Sequence, residues 1–205
     1  MESIYKRDSE QRLIKAVSTI VEEHGFSKVG INRIARTAEC DKVLIYRYFG
    51  GLDGLIAAWA KENDFYISAY DAFRTEVETI SKDKVKDLAK RILIAQLHFL
   101  RENRMMQELI IWELTGHSKF KILQEIREKN GYKLQQVLSE TAGIDKEENI
   151  NMYVLILVAA IEFIVICTRN YQLFNGVNFG KSESWEKFED AICNFIDQLF
   201  NTIEL

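Results

Sequence analysis

Between Gly30 and Phe49 the chain reads GINRIARTAECDKVLIYRYF, a stretch rich in side chains suited to chemistry with a polyanion. Asn32, Arg33 and Arg36 fall in its first half, and Lys42, Tyr46 and Arg47 in its second. Arginine and lysine make charge-assisted hydrogen bonds to phosphate oxygens, and a lysine can also reach a guanine edge. Leu44 offers the kind of apolar contact that packs on a thymine methyl. Gly30, placed where a helix would begin, leaves the backbone N–H groups of Ile31 and Asn32 open to a phosphate. The bland alternative is two packed helices whose charged faces are merely solvated.

The elements that must position these residues are legible in the spacing. Ile31, Ile34 and Ala35 recur at helical intervals, and Ala38-Glu39-Cys40 then interrupts them. Asp41 supplies an N-cap side chain, and a second short run, Val43 to Phe49, carries Ile45, Tyr48 and Phe49. Two short helices joined by a turn of three or four residues have the sequence form of a helix-turn-helix. In that motif the second helix enters the DNA major groove while the first braces it against the backbone. Upstream, a helix over about Ser9 to His24 gathers Leu13, Ala16, Val17, Ile20 and Val21 on one face. Gly25-Phe26 ends it with a glycine C-cap and a hydrophobic contact.

The segment QRLIKAVSTIVEEHGFSKVGINRIARTAECDKVLIYRYFGGLDGLI resembles the N-terminal DNA-binding domain of TetR-family transcriptional regulators. The resemblance is detailed over about the first third of the chain and extends to the rest in length and helical character. It implies a DNA-binding domain over residues 1–51, with the motif at 30–49, followed by a ligand-binding and dimerisation domain over 52–205. It also implies a homodimer on a pseudo-palindromic operator, most often a repressor, released by a small-molecule effector. Tyr46 matches the family tyrosine that hydrogen-bonds phosphate. Several positions depart from the family pattern. Gly30 stands for the usual Ser or Thr cap, Arg33 for an acidic residue, and Glu39 for the turn glycine. Val43 and Leu44 replace small hydroxyl-bearing residues, and Leu52 replaces a basic one. These departures sustain an alternative, a helical small-molecule binding protein whose head no longer reads DNA.

Composition agrees with an all-α fold. The chain of 205 residues has no proline, so long helices can run unbroken, and 47% of it is apolar. Net charge is −4, unevenly spread. Residues 1–50 hold nine Lys/Arg against seven Asp/Glu, while the remainder holds 18 against 24. A mildly basic head on an acidic body suits a protein that offers only its N-terminus to phosphates. Cys40, Cys167 and Cys193 are too few and too scattered for a disulfide framework or a zinc site. The polar N-terminus lacks a secretory apolar core, so a cytoplasmic protein is expected; Lys6 and Arg7 read as part of a solvated tail. His24, His98 and His117 are far apart, and no phosphate-binding loop, nucleophile elbow or zinc-protease motif appears. Neither catalysis nor a cofactor is expected; a helical enzyme has only the buried polar residues in its favour.

The remaining chain follows the 3.6-residue period. Leu52 to about Ser81 reads as one long helix, followed by Lys82–Glu102, Met105–Leu114 and Lys119 to about Thr141, where Asn130-Gly131 weakens the middle. Ile150 to Phe174 contains the run MYVLILVAAIEFIVIC, too short for a bilayer and interrupted by Glu162. The last helix spans about Ser184 to Ile203. By the resemblance these last two helices pair with their copies in a four-helix bundle, with Ile192, Phe195 and Leu199 at the interface. Gln96 within an apolar stripe, Trp112, Tyr153 and Glu162 are the candidates to line an effector cavity. The alternatives are a locally satisfied Gln96, a core Trp112, and a Glu162 paired with a Lys or Arg of a neighbouring helix or the other subunit.

Overall fold

The computed structural model describes residues 2–115, 121–143 and 150–202; the expected break at Gly116-His117 and the connection over 144–149 lie outside them. The described residues are almost wholly helical: α1 (Glu2–His24), α2 (Ile31–Thr37), α3 (Val43–Phe49), α4 (Leu52–Asn63), α5 (Phe65–Thr79), α6 (Val85–Glu102), α7 (Arg104–Leu114), α8 (Lys121–Ala142), α9 (Ile150–Cys167) and α10 (Ser182–Thr202). They form two compact units, one of residues 1–68 and 104–130, the other of 69–103 and 131–205. The all-α class expected from the sequence holds.

In the first unit, Leu13, Ala16, Val17, Ile20 and Val21 of α1 are buried with Ile34, Ala35, Ile45, Leu55, Ile56 and Trp59. The Gly25 backbone turns at φ +75°, which glycine adopts without strain, and delivers Phe26 into the core. There Phe26 meets Trp59 edge-on at 5.3 Å and stacks on Trp112 at 5.6 Å. The Trp59 indole N–H donates to Ser18 Oγ at 3.0 Å. The N-terminal stretch expected as a tail is instead the first turns of α1.

The junction between α3 and α4 depends on a residue that periodicity does not single out. A Cβ built on Gly54 would lie 1.8 Å from the Phe49 carbonyl oxygen and 2.9 Å from its carbon. Both are backbone atoms, so no rotamer change can relieve the overlap. Gly54→Ala is therefore expected to lower stability by about 1–3 kcal/mol or more through overpacking. Thermal unfolding of this variant, compared with Gly30→Ala where a Cβ meets open space, checks the claim.

The single helix expected from Leu52 to Ser81 is broken. Asp64 leaves helical geometry at φ −105° and ψ 119°, closing α4. Its carboxylate then accepts the Tyr66 N–H at 3.0 Å, capping the start of α5. Asp64 is fully buried, and its other oxygen takes the Nε and Nη2 of Arg127 from α8. A buried ion pair at a helix joint has no signature in local spacing.

In the second unit α6 packs on α9 and α10, burying Leu88, Leu93, Leu97 and Leu100 with Ile161, Val165, Ile192 and Ile196. The ninth helix stops at Cys167, not at Phe174 as expected. A small antiparallel hairpin follows, pairing Leu173 with Asn178 and Phe174 with Val177. Asn175 and Gly176 both have positive φ, +46° and +83°, which is the backbone a two-residue hairpin turn requires. No helix among the described residues is long and apolar enough to cross a membrane.

Candidate nucleic-acid interface

The turn between α2 and α3 is built without its usual glycine. Glu39 itself takes φ +50°, an unfavourable region for a residue with a side chain. Arg12, reaching over from α1, offsets this by donating from Nη2 to the carbonyls of Ala38 at 2.6 Å and Glu39 at 3.2 Å. Its guanidinium also lies 3.8 Å from the Glu39 carboxylate, which a glycine could not supply. The Cys40 N–H closes the turn on the Ala35 carbonyl at 3.0 Å. Asp41 Oδ1 accepts the Val43 N–H at 2.8 Å and so starts α3 as expected. At its far end Gly50 caps α3 in the left-handed conformation, φ +74°.

This frame sorts the side chains of α3. Ile45 is completely buried, anchoring the helix, while Lys42, Val43, Tyr46 and Arg47 face outward. Tyr46 is 55% exposed, so it is not a core tyrosine. Leu44 is half-buried beside them, as are Tyr48 and Phe49. On α2, Asn32 and Arg36 are exposed and Arg33 is half-buried, while Gly30 is extended and makes no side-chain cap. Lys6 of α1 sits 5.8 Å from the centre of the Tyr48 ring, and Arg47 sits 6.0 Å from it on the same helix. The first turns of α1 thus bring a further cation to the recognition helix. Reasoning from the sequence missed Arg12, Lys6 and Gly54, whose roles come from chain segments far from the motif.

The other candidate residues are dispersed. Trp112 is part of the Phe26 stack in the first unit. In the second unit Gln96 is buried, Glu162 half-buried and Tyr153 exposed, the last with its ring 6.4 Å from Phe195. Of the three residues expected at a dimer interface, Ile192 and Leu199 are buried within the chain itself, at 2% and 9% exposure. Only Phe195, at 38%, presents much surface. Helical rotation explains the split, since 192, 196 and 199 share the face turned to α6. Among the described residues no cluster of His, Cys, Asp and Glu could hold a metal ion.

A tied turn, a buried anchor and an outward basic helix define a helix-turn-helix protein. Residues 13–59 match the family described as bacterial regulatory proteins, tetR family. Residues 13–59 thus form a DNA-binding domain of the TetR type. No curated protein matches it. Among solved structures, a TetR transcriptional regulator from Rhodococcus sp. RHA1 is similar in fold, with a TM-score of 0.51 at 16% identity, over 95% of this chain and 97% of that one.

Proposed function

We propose that this chain is a ligand-responsive repressor that binds a pseudo-palindromic operator as a homodimer and acts in the cytoplasm. The observation that carries the reading is the outward face of α3, where Lys42, Tyr46 and Arg47 stand exposed on a helix fixed by buried Ile45. In this reading residues 1–51 read DNA, and 52–205 bind an effector and a second copy. Lys42 and Arg47 donate to phosphates or base edges, the Tyr46 hydroxyl donates to a phosphate, and Leu44 meets a thymine methyl. Asn32, Arg33, Arg36 and the Gly30 backbone brace the flanking strand. Two heads about 34–36 Å apart then enter successive major grooves. An effector in the C-terminal domain that favours another head spacing lowers DNA affinity by its coupling free energy, about 1–3 kcal/mol. Gln96, Tyr153 and Glu162 remain the candidates for its contacts. A mobility-shift assay with DNA from immediately upstream of the chain's own gene tests the reading. Retention of no such fragment would favour the alternative, a helical binding protein with a silent head.

Self-association is supported by the outer face of α9, where Met152, Leu155, Ile156 and Phe163 are exposed, together with Phe195 of α10. Apolar residues so concentrated on one helix mark an interaction surface. Ile156→Glu and Phe195→Glu are expected to weaken the dimer by about 30-fold or more each, as loss of a central apolar anchor does. Because both side chains point away from the protomer's core, each variant should remain folded. Light scattering and circular dichroism on the same samples check this, and a folded variant that stays dimeric would move the interface elsewhere.

A further inference from the structure

The first unit contains a cleft of about 510 Å³ lined by His24, Lys28, Arg33, Arg36 and Thr37. These residues come from the end of α1, the short 3-10 turn Phe26–Lys28 and one flank of α2. No residue of α3 lines it, so it is distinct from the outward face of the recognition helix. No carboxylate lines it either, in a chain that carries more acidic than basic residues. Among the described residues Lys28, Arg33 and Arg36 make no ion pair, whereas Arg12, Lys90, Arg101, Arg127 and Lys187 all do. Glu23 lies 3.6 Å from His24 Nε2 and is not part of the lining.

Cations in the last turn of a helix offset its dipole, and this accounts for Arg36 taken singly. It does not account for Arg33 in the middle of α2, nor for convergence on one concavity. Like charges held together repel, and a multiply charged anion is the ligand that relieves the repulsion. We propose that the cleft is a phosphate-binding site: Lys28, Arg33 and Arg36 donate to phosphoryl oxygens, and Thr37 adds a hydroxyl donor. Arginine presents a planar fork matched to phosphate oxygens, and the cleft is large enough for more than one phosphoryl group. The phosphates come either from DNA strand flanking the operator or from a free polyphosphate. The first source rests on the DNA-binding reading above; the cleft's chemistry does not.

Calorimetric titration of the full chain with tripolyphosphate at low salt is expected to show one saturable site per chain. Lys28→Ala and Arg36→Ala should each weaken it about tenfold or more, as loss of a charge-assisted hydrogen bond does. Lys121→Ala, an exposed lysine of α8, should leave it unchanged. Absence of saturable binding, or affinity intact in both Lys28→Ala and Arg36→Ala, overturns the proposal. A second measurement, the salt dependence of binding to a 30-base-pair duplex of arbitrary sequence, separates the sources. If the strand is the ligand, Lys28→Ala lowers the log–log slope by about 0.9. An unchanged slope beside lost tripolyphosphate affinity assigns the cleft to the free anion. If the parent chain binds neither this duplex nor its own upstream DNA, the DNA-binding reading fails, and the tripolyphosphate titration alone judges the cleft.

Discussion

Affinity for a promoter fragment is expected to fall by about 10³–10⁵ between 50 and 200 mM salt, if the dimer neutralises six to ten phosphates. The cations that would do so are exposed: Lys42 and Arg47 on α3, Arg36 on α2, with Arg33 half-buried beside it and Lys6 close to Tyr48. Two substitutions separate charge from hydrogen bonding. Lys42→Ala should cost about 1.5–3 kcal/mol and lower the salt slope by about 0.9 per head, because a counterion-releasing contact is lost. Tyr46→Phe removes a neutral donor; it should weaken binding by a smaller amount and leave the slope unchanged. Both side chains project to solvent, so thermal stability should move by no more than about 0.5 kcal/mol in either variant. A fragment held equally at 50 and 200 mM salt would show that phosphate contacts are not what binds it.

Arg127→Met is expected to lower stability by about 3–5 kcal/mol, the cost of leaving buried charges without their partner. In the first unit Arg127 joins three helix segments. Its Nε donates to Asp64 Oδ2 at 2.7 Å and its Nη1 to Glu113 Oε2 at 2.7 Å, while its guanidinium lies 5.5 Å from the centre of the Tyr66 ring. Burial works against charge on the guanidinium, but the carboxylates of Asp64 and Glu113 outweigh it and hold Arg127 above its ordinary pKa. Burial also pushes the Asp64 carboxyl above its ordinary value, against the downward pull of Arg127 and of the Tyr66 and Ile67 N–H groups. Desolvation is thus a large cost in this network, and removing the arginine exposes that cost in full. The triple variant Asp64→Asn, Glu113→Gln, Arg127→Met should recover most of the loss, since no buried charge is then left over. The amide oxygen introduced by Asp64→Asn would still accept the Tyr66 N–H and keep the cap. At about 2–4 °C per kcal/mol for a chain of this size, the single variant should melt about 6–20 °C lower. An unchanged melting temperature would mean that water replaces the guanidinium at little cost.

Several elements were readable because their causes are local. The apolar face of α1, the Gly25 stop, the Asp41 cap and the two short helices each depend on residues within a turn or two of one another. Such patterns appear in chain order, so spacing and cap chemistry revealed them, and the exposed donors of α3 followed from the same register. The break at Asp64 was not readable in this way. Nothing in its neighbours separates it from any polar residue on a helix surface, and its partner Arg127 lies 63 positions away. The tie from Arg12 to the turn spans 26 positions, and the need for glycine at 54 arises from how closely α4 passes the end of α3.

By itself the sequence determined the helical class, the helix-turn-helix and the residue types available to meet DNA, all through interactions between near neighbours. Tertiary structure alone decided which apolar faces were covered and which charged side chains converged. It buried Ile192 and Leu199 against their own chain while exposing Phe195, although all three are apolar residues of one helix. It also drew His24, Lys28, Arg33 and Arg36 into one cleft, although they arise from three separate elements. The physical reason is the same in each case. Local order sets which way a side chain points along its helix, but only packing decides what stands opposite it.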